Sequence, residues 1–597
     1  MADPADARPS AARTALQLIG ELAAFAALLF LTRFVLRGYL ALPLDEECHI
    51  GGVAVDVLAA GIRFPPLVYV QSDYDNGSLL SGLLAAGAFS VLGRNLLALK
   101  LVTHLVSAAG AVATLWLLRG CLRDLGLTSR RARWTATAAL AIGIALAPEA
   151  VTVPAMCTVG IGSPADGAAI DMLLLALFAA RLRRRSALRI GVFWALVGLA
   201  LHLNRATLPV IPVLALAEAA LAGRTPRLWL AAVGGFLVGS ARDLALVAAH
   251  YGAGWGQLFG KAQRHSSDFP DAFLESLWNL AESRTPLLAA WLLALALGVG
   301  LLLRAWPRLR AWWRDATAPA PLTLALVVGA ALMQLAALMV MAQGGFDYYT
   351  IYGYPLLMVL YALLVAWTCA RAVTRWGAGA WVHPAAIAVT LVLYRPLAPA
   401  PSLETVTSLW HNQAGAACSW RLAEGFRREY DAGMAPPGRG LEEHVIARCR
   451  SLSEPAQVLD CIGGISRDLQ YTYDQHVQGA PPAALAPDEA RAFAYYYGVR
   501  RNGDARPCAD FTDPALQADC AAAVRLDCIA RGGWGNYRSA APSGTPRCAI
   551  PPPPMDGYWS ALRTSFLTTT NGIGLRVLDR REDEQFPACR AVFEDCY

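Results

Sequence analysis

Long apolar runs separated by short polar clusters recur along the first two thirds of the chain. A helix needs about 20 apolar residues to cross the hydrocarbon core of a bilayer, and eleven runs come near that length. They are residues 14–37, 96–118, 134–148, 166–181, 188–203, 206–222, 228–250, 286–304, 321–342, 355–371 and 379–396. We predict that each is a transmembrane α-helix, and that a shorter run at 79–93 does not cross.

Arginine clusters between the runs predict the orientation, because cytoplasmic loops of membrane proteins are enriched in Lys and Arg. With Arg8 and Arg13 in the cytoplasm, eleven alternating crossings place every later cluster on the same side. These clusters lie at residues 119–133, 181–185, 224–227, 304–314 and 371–375. Everything after about residue 399 is then extracytoplasmic, which is the periplasm if this is the inner membrane of a Gram-negative cell.

The composition agrees with a multi-pass membrane protein, since 56% of the 597 residues are hydrophobic and only 16% are charged. The net charge of +6 is spread too thinly to indicate a nucleic-acid partner. The first run could alternatively be read as a signal peptide, but its apolar core is long and lacks a small-residue cleavage pattern. We therefore expect it to be retained as the first span.

Cysteines are concentrated in the last third of the chain, where an oxidising compartment would let them pair. Nine of the thirteen lie there, at positions 418, 449, 461, 508, 520, 528, 548, 589 and 596. Because nine is odd, a bridge to Cys48 or Cys157 in the outer loops and a free thiol both stay open. Zinc is disfavoured because no CxxC pair is present.

The tail also contains a repeat, in which CRSLSEPAQVLDC (449–461) matches CADFTDPALQADC (508–520). In each copy Ser453 or Thr512 would cap a helix, an acid and a proline would follow in its first turn, and the second cysteine would come two turns later. A disulfide across each pair would staple the helix to the incoming chain. The predicted fold class is thus an all-α polytopic membrane domain (1–398) followed by a disulfide-rich, mainly α extracytoplasmic domain (399–597).

The stretch LPLDEECHIGG (42–52) places three carboxylates, Asp45, Glu46 and Glu47, directly after the first span. They open a long first outer loop, 38–95, and long loops in compact proteins usually have a function. From His49 to Ala60 the pattern predicts a helix on the membrane surface, with Val53, Val57 and Leu58 on one face.

Together, these features resemble the C-type membrane glycosyltransferases. The resemblance consists of acids at the start of the first outer loop, an amphipathic helix ending at Gly61, the FPP at 64–66, Gly77, LLAAGAFSVLGRN (83–95) and LALKLVTHLVSAAG (97–110). The chain is most similar to the branch with protein O-mannosyltransferases and the aminoarabinose transferase of lipid A. The likeness covers residues 14–396 and is sharpest at 45–118.

This resemblance implies transfer of a sugar from a polyprenyl-phosphate donor to an extracytoplasmic lipid, glycan or protein. It implies that Asp45 is the catalytic residue and that Glu46 is its acidic neighbour, although the third acid, Glu47, leaves open which carboxylate leads. The acids would act either as a general base or as ligands of a divalent cation, Mg²⁺ or Mn²⁺, held by Asp45 and Glu46. Both roles stay open.

A phosphate leaving group needs cations on the outer side, because negative charge accumulates on its oxygens. Arg205 is the first candidate and His202 the second, and the loop 251–273 adds Lys261 and Arg264. Further substrate contacts are expected from Glu47, His49, Asp347, Tyr348 and Tyr349. The alternatives are that Arg205 extends to lipid headgroups and that the tyrosines belong to an aromatic belt.

Three charged residues, Asp171, Arg242 and Asp243, lie inside predicted spans, where charge is costly unless paired or lining a cavity. We expect either that one of them faces the site or that it links two helices. No P-loop, GxGxxG, HExxH or GxSxG motif points to soluble enzyme chemistry. Two rival functions stay open, a transporter of lipid-linked saccharides and a non-catalytic relative whose tail has a sensing or assembly role.

Overall fold

A computed structural model describes residues 11–32, 45–62, 79–93, 96–146, 163–181, 186–203, 207–222, 225–241, 244, 269–314, 321–341, 346–394, 422–431, 435–452, 455–468, 484–499, 508–509 and 511–521. Within these ranges the regular structure is helical and contains no β-strand.

The membrane half contains thirteen described helices. They are α1 (Ala11–Phe30), α2 (Asp45–Ala60), α3 (Leu79–Leu92), α4 (Leu96–Asp124), α5 (Arg130–Ala145), α6 (Ser163–Arg181), α7 (Ala187–Leu203), α8 (Val210–Ala222), α9 (Pro226–Gly239), α10 (Phe269–Arg314), α11 (Leu322–Met341), α12 (Phe346–Trp376) and α13 (Val382–Leu393). The described part of the tail adds α14 (Leu422–Asp431), α15 (Leu441–Arg450), α16 (Pro455–Asp468), α17 (Pro487–Val499) and α18 (514–521).

Each of the eleven predicted spans overlaps a described helix, and the short run at 79–93 forms α3. Four of these helices are both long and apolar enough to cross a membrane, at Ala12–Phe30, His104–Asp124, Pro286–Arg314 and Gly353–Trp376. Other apolar helices, including α7, α9 and α13, are shorter. The chain is a multi-pass membrane protein, and its eleven crossings stay a prediction.

Helix ends that the arginine pattern places on the inner side lie together in the structure. The Asp124 carboxylate at the end of α4 accepts a hydrogen bond from the backbone N–H of Leu324 at the start of α11, at 3.1 Å. The hydroxyl of Thr135 near the start of α5 lies 2.8 Å from Nδ1 of His383 at the start of α13. Both contacts therefore fit the predicted alternation of helix directions.

Two further hydrogen bonds join ends that the same alternation places on the outer side. The Tyr354 hydroxyl, from the first turns of α12, donates to the carbonyl of Gly143 near the end of α5 at 2.5 Å. Trp291 Nε1 in α10 donates to the hydroxyl of Tyr394, just after α13, at 2.7 Å. These buried polar groups gain partners that the surrounding apolar side chains do not offer.

Six tryptophans of the described residues are exposed, namely Trp134, Trp229, Trp306, Trp313, Trp376 and Trp381. Each lies close in sequence to one of the arginine clusters that are predicted to be cytoplasmic. Since tryptophan side chains favour the membrane–water interface, these residues would lie at the inner headgroup layer if the predicted topology holds.

The first helix belongs to the bundle. Arg119 of α4 donates a hydrogen bond to Glu21 of α1 at 2.6 Å, and Trp116 Nε1 donates to the same carboxylate at 2.9 Å. Phe25 and Leu29 of α1 are buried in the main apolar core of the bundle. These contacts pack α1 against α4, and the retention of this span stays a prediction.

A buried ion pair fixes the ends of α6 and α8. Arg181 donates to the Glu218 carboxylate, which also accepts from Trp194 Nε1 at 3.0 Å. The guanidinium lies over the rings of Phe178 and Phe193, 4.7 and 4.8 Å from their centroids. Because a buried charge is costly without a partner, removing either side chain would leave an uncompensated ion.

Helices α7 and α9 approach each other closely along a seam of small residues. A Cβ atom at Gly235 would clash with the carbonyl of Gly191, and one at Gly198 would lie 2.6 Å from the carbonyl oxygen of Phe236. The glycines therefore bring the two backbones into direct contact, the kind of packing that drives helix association in membranes.

The neighbouring glycines Gly234 and Gly235 provide a matched test of this seam. A Cβ at Gly234 would meet nothing within 4 Å. We expect Gly235→Ala to lower the free energy of unfolding by about 1–3 kcal/mol, because the backbones must separate. Gly234→Ala should raise it by about 0.5–1 kcal/mol, because alanine favours the helix. Denaturant unfolding in detergent measures both, and equal effects of the two changes would contradict the close packing.

The described tail helices form a second apolar cluster that contains both predicted disulfides. Cys449 pairs with Cys461 and Cys508 with Cys520, each with a Cα–Cα distance of 5.6 Å. The repeat therefore closes two loops of the same length, as its spacing predicts. The five other tail cysteines lie outside the described residues, as do residues 399–421 and 522–597.

One detail of the predicted repeat is wrong. In the second copy, the side chain that accepts from the helix N-terminus is Asp513, which takes a hydrogen bond from the backbone N–H of Ala515 at 2.8 Å, and not Thr512. The helix begins one residue later than the threonine cap requires, and a carboxylate at that position serves as well as a hydroxyl. Ser453, the corresponding cap of the first copy, lies outside the described residues.

Two bidentate ion pairs hold the tail helices together. Arg448 of α15 donates to both Glu429 oxygens of α14, at 2.7 and 2.8 Å. Arg450 donates to both oxygens of Glu489 of α17, at 2.9 and 2.6 Å. Paired guanidinium–carboxylate contacts fix geometry as well as charge.

A buried histidine makes the tail sensitive to acid. Nε2 of His444 lies 3.5 Å from Glu429. Burial lowers the pKa of the imidazole, Glu429 opposes this shift, and the Arg448 cation adds to it. The folded tail therefore takes up a proton at His444 only at lower pH than the unfolded chain, which binds one there as pH falls through about 6.5.

We therefore expect the tail to lose stability as pH falls from 8 towards 5, and His444→Gln to reduce that loss. Ion pairing with Arg450 lowers the pKa of Glu489, so the contribution of this group is lost only at lower pH. Thermal unfolding of the whole protein, followed by tryptophan fluorescence over this pH range, measures the effect. An identical pH profile in the His444→Gln variant would contradict this assignment.

Candidate functional site

The predicted catalytic acids form the first turn of a helix. Helix α2 begins at Asp45, so Asp45, Glu46 and Glu47 open it and His49 lies one turn further on. Sequence reasoning places this helix from His49 onwards, and the structure extends it back through the acids. Acidic residues are favoured in a first helical turn because the aligned peptide dipoles stabilise negative charge there.

The centre of α2 is buried against the membrane half. Its residues Ile50, Ala54 and Val55 pack in one apolar cluster with α3 and α4. The partners are Ala85, Ala86 and Phe89 from α3 and Ala98, Leu99 and Val102 from α4. Small residues on three helices thus hold the acid-bearing helix close to the bundle.

The expected lipid-facing side of α2 is corrected by the structure. Val53 is 0% exposed and belongs to the apolar cluster of the tail, while Val57 contacts both that cluster and the one with α3 and α4. Only Leu58 of the three predicted surface residues is exposed, at 41%. The helix is therefore an internal element between two parts of the chain, because its apolar residues find protein partners on more than one side.

Sequence reasoning did not assign a role to Asp56, which is 2% exposed within α2. It lies eleven residues, about three turns, after Asp45. A buried carboxylate is costly unless it has a partner, so Asp56 is either a fixed structural contact or part of the site. The signal in the sequence is a single acid within an otherwise apolar helical segment.

The remaining predicted site residues are described only by their backbone or not at all. His202 is the last but one residue of α7, and Asp347, Tyr348 and Tyr349 lie in the first turn of α12. Arg205, Lys261 and Arg264 lie outside the described residues, and so do Arg242 and Asp243. Their roles as donor-phosphate and substrate ligands stay predictions.

Asp171 links two helices. Its carboxylate is fully buried and accepts a hydrogen bond from Nε2 of Gln334 in α11 at 2.6 Å. Of the two roles expected for this residue, the structural link is thus confirmed. A hydrogen bond between two polar side chains inside the membrane joins their helices in a defined position, which apolar contacts alone specify less well.

A metal role for the acids stays a prediction. Among the residues that the structure describes, no three His, Cys, Asp or Glu side chains lie together as a metal site would require. The side chains of Asp45 and Glu46 are not among them. If an ion binds here, these hard oxygen ligands suit Mg²⁺ or Mn²⁺.

The described fold defines a multi-pass helical membrane protein whose acid-bearing helix α2 joins the membrane half to a disulfide-bonded helical cluster. No protein-family model matches the chain, and no curated protein sequence matches it. Among solved structures, it is similar to the crystal structure of ArnT from Cupriavidus metallidurans bound to undecaprenyl phosphate. That match has 14% identity, covers 92% of this chain and 85% of the other, and has a TM-score of 0.37. A likeness of this extent does not establish a common fold or activity.

The position of Cys48 in the first turn of α2 gives a direct test of sidedness. After mild reduction, which would open any bridge to Cys48, we expect a membrane-impermeant thiol reagent to modify Cys48 from outside intact spheroplasts, because the arginine pattern places this helix on the outer side. Cys121 and Cys369 are buried in the membrane half and serve as internal controls that should not react. Mass spectrometry of labelled peptides measures the result, and labelling of Cys48 only after the membrane is opened would overturn the predicted topology.

Proposed function

We propose that this protein is a membrane glycosyltransferase of the C-type architecture, which moves one sugar from a polyprenyl-phosphate carrier to an acceptor outside the cytoplasm. The proposal places transfer in the inner membrane, at its periplasmic face. The acceptor class, lipid, glycan or protein, is left open.

The observation that carries the proposal is the packing of α2. A helix with three consecutive acidic residues in its first turn is buried at its centre against α3 and α4. Catalytic groups must be held within a fraction of an ångström of their productive geometry, and secondary-structure elements fixed by packing do this better than free loops. Three acidic residues that only contacted solvent would not require a helix fixed by packing against α3 and α4.

In the proposed reaction, the Asp45 carboxylate accepts the proton of the acceptor hydroxyl or amine as its heteroatom attacks the anomeric carbon. The bond between that carbon and the phosphate oxygen breaks, and the polyprenyl phosphate leaves with the electron pair. Arg205, His202, Lys261 and Arg264 are the candidates that stabilise its growing negative charge. Glu46 would assist Asp45, and a divalent cation bound by both would supply further charge stabilisation at the phosphate.

The substrate would be positioned by residues around the same outer face. Glu47 and His49 belong to the same first turns of α2 as Asp45, and Asp347, Tyr348 and Tyr349 open α12. Tyrosine and carboxylate side chains both suit sugars, because sugar hydroxyls donate and accept hydrogen bonds and the ring carbons stack on aromatic faces.

Replacing Asp45 by Asn tests the enzymatic claim, because the amide cannot accept the proton. We expect roughly a 10²–10⁴-fold loss of transfer, the usual range for general acid–base groups. The readout is mass spectrometry of envelope lipids, glycans and proteins from cells that lack the gene and are complemented with either form.

Asp488→Asn is the matched control, since Asp488 also lies in the first turn of a tail helix but is exposed. It should restore the same glycan pattern as the unmodified protein. Full restoration by the Asp45→Asn form would remove the enzymatic claim and leave the transporter or the non-catalytic role.

A further inference from the structure

Helix α2 is shared between two apolar clusters. One cluster joins Ile50, Ala54 and Val55 to α3 and α4, and the other is the disulfide-containing cluster of the tail. Val53 is the fully buried residue of α2 that belongs to the tail cluster. The tail thus contacts the same helix whose first turn carries the acidic residues.

Val53 has neighbours on both sides. A Cβ atom at Gly82 of α3 would clash with Val53 Cγ1, so α3 passes directly beside this side chain. Val53 also shares its cluster with Leu422 and Phe426 of α14, both of which are fully buried, and α14 contacts α2. The absence of a side chain at Gly82 leaves room for Val53 beside α3.

Helix α14, which belongs to the same cluster as Val53, is fixed to its neighbours in the tail. Helix α14 is tied to α15 by the bidentate pair of Glu429 with Arg448. The Cys449–Cys461 disulfide lies within the same cluster, and both of its cysteines are fully buried. Cross-links and paired charges of this kind reduce the freedom of the helices they join.

We propose that the tail acts as a clamp that sets the position of α2, and that Val53 is the positioning residue through which it acts. This inference rests on the proposed function for its effect on sugar transfer. It gives the tail a role in the catalytic geometry itself, apart from any contact with the acceptor.

The physical reason is the short distance along the helix between Val53 and the acids. Eight residues, or about 12 Å of helix, separate Val53 from Asp45, and a helix transmits a shift over that length as a nearly rigid rod. Displacements of about 1 Å at a catalytic group lower rates by as much as 10²-fold. Loss of the clamp would therefore reduce turnover more than substrate binding.

Hydrogen exchange in the detergent-solubilised full chain tests the clamp without reference to activity. We expect Val53→Ala to speed amide exchange in peptides covering residues 45–60 by roughly tenfold, because the opening of a helix becomes easier when a packing contact is lost. Leu58→Ala is the matched control, since it truncates an exposed residue of the same helix and should leave exchange near that of the unmodified protein.

A second variant approaches the contact from the tail. Phe426→Ala should speed exchange over residues 45–60 as well, and Phe426→Leu should do so less, because leucine keeps part of the buried surface. Intact-mass measurement of free thiols checks that both disulfides have formed in each variant. If exchange over 45–60 is unchanged in Phe426→Ala, the clamp is wrong, because Val53→Ala also removes a contact with α3 and could act through that helix alone.

Activity separates this inference from the proposed function. If the clamp is right, Val53→Ala should lower kcat about tenfold with little change in KM, the pattern expected when positioning is lost. Faster exchange in a protein whose unmodified form transfers no sugar would keep the clamp and remove the transferase. Normal transfer by the Val53→Ala variant, with unchanged exchange over residues 45–60, would keep the transferase and remove the clamp.

Discussion

Helix α2 is buried at its centre on more than one side, and the arrangement of the molecule around the candidate site depends on this constraint. An amphipathic helix on a membrane surface can tilt and slide, because lipid imposes no fixed partner. Here the partners are side chains of α3, α4 and α14, each with a definite shape. The close packing of protein interiors then converts a set of weak apolar contacts into a defined position for the acids at the start of the helix.

The same logic governs the polar groups inside the membrane half. Lipid offers them no hydrogen-bond partners, so each described buried charge or amide in the spans is expected to find one in the protein. Arg181 meets Glu218, and Asp171 meets Gln334. The first pair joins α6 to α8 and the second joins α6 to α11, whereas the glycines join α7 to α9 by direct backbone approach. Apolar spans are thus held in register by a few specific contacts.

Much of this fold could be predicted from sequence, because hydrophobic periodicity and arginine placement are local signals. The eleven apolar runs all fall on helices, and the two stapled loops follow from the spacing of cysteines within a repeat. The burial of Val53 could not be predicted in this way. The other members of its cluster, Leu422 and Phe426 among them, lie in the other half of the chain, and a valine on an amphipathic helix looks the same whether lipid or protein covers it.

The candidate site, too, could be predicted only where its signal is local in the sequence. The three carboxylates were visible because acids directly after an apolar run are conspicuous, but the predicted helix began at His49 and the structure begins α2 at Asp45. Asp171 could be recognised as a costly buried charge, but its partner depends on the packing of α6 against α11, which no local pattern encodes. Asp513 caps α18 in place of the predicted Thr512. The sequence does not distinguish the two, because either side chain can accept a hydrogen bond from a helix N-terminus.

The exposed tryptophans of the described residues have a consequence for how the protein would respond to membranes of different thickness. Indole groups hold a protein at the headgroup layer, so these tryptophans would fix the depth of the bundle at the predicted cytoplasmic leaflet. Any mismatch between bundle and bilayer then accumulates at the opposite leaflet. A thicker membrane would submerge the rim on which α2 sits, and a thinner one would raise that rim into the headgroups, so lipid composition would tune how easily a lipid-borne substrate reaches it.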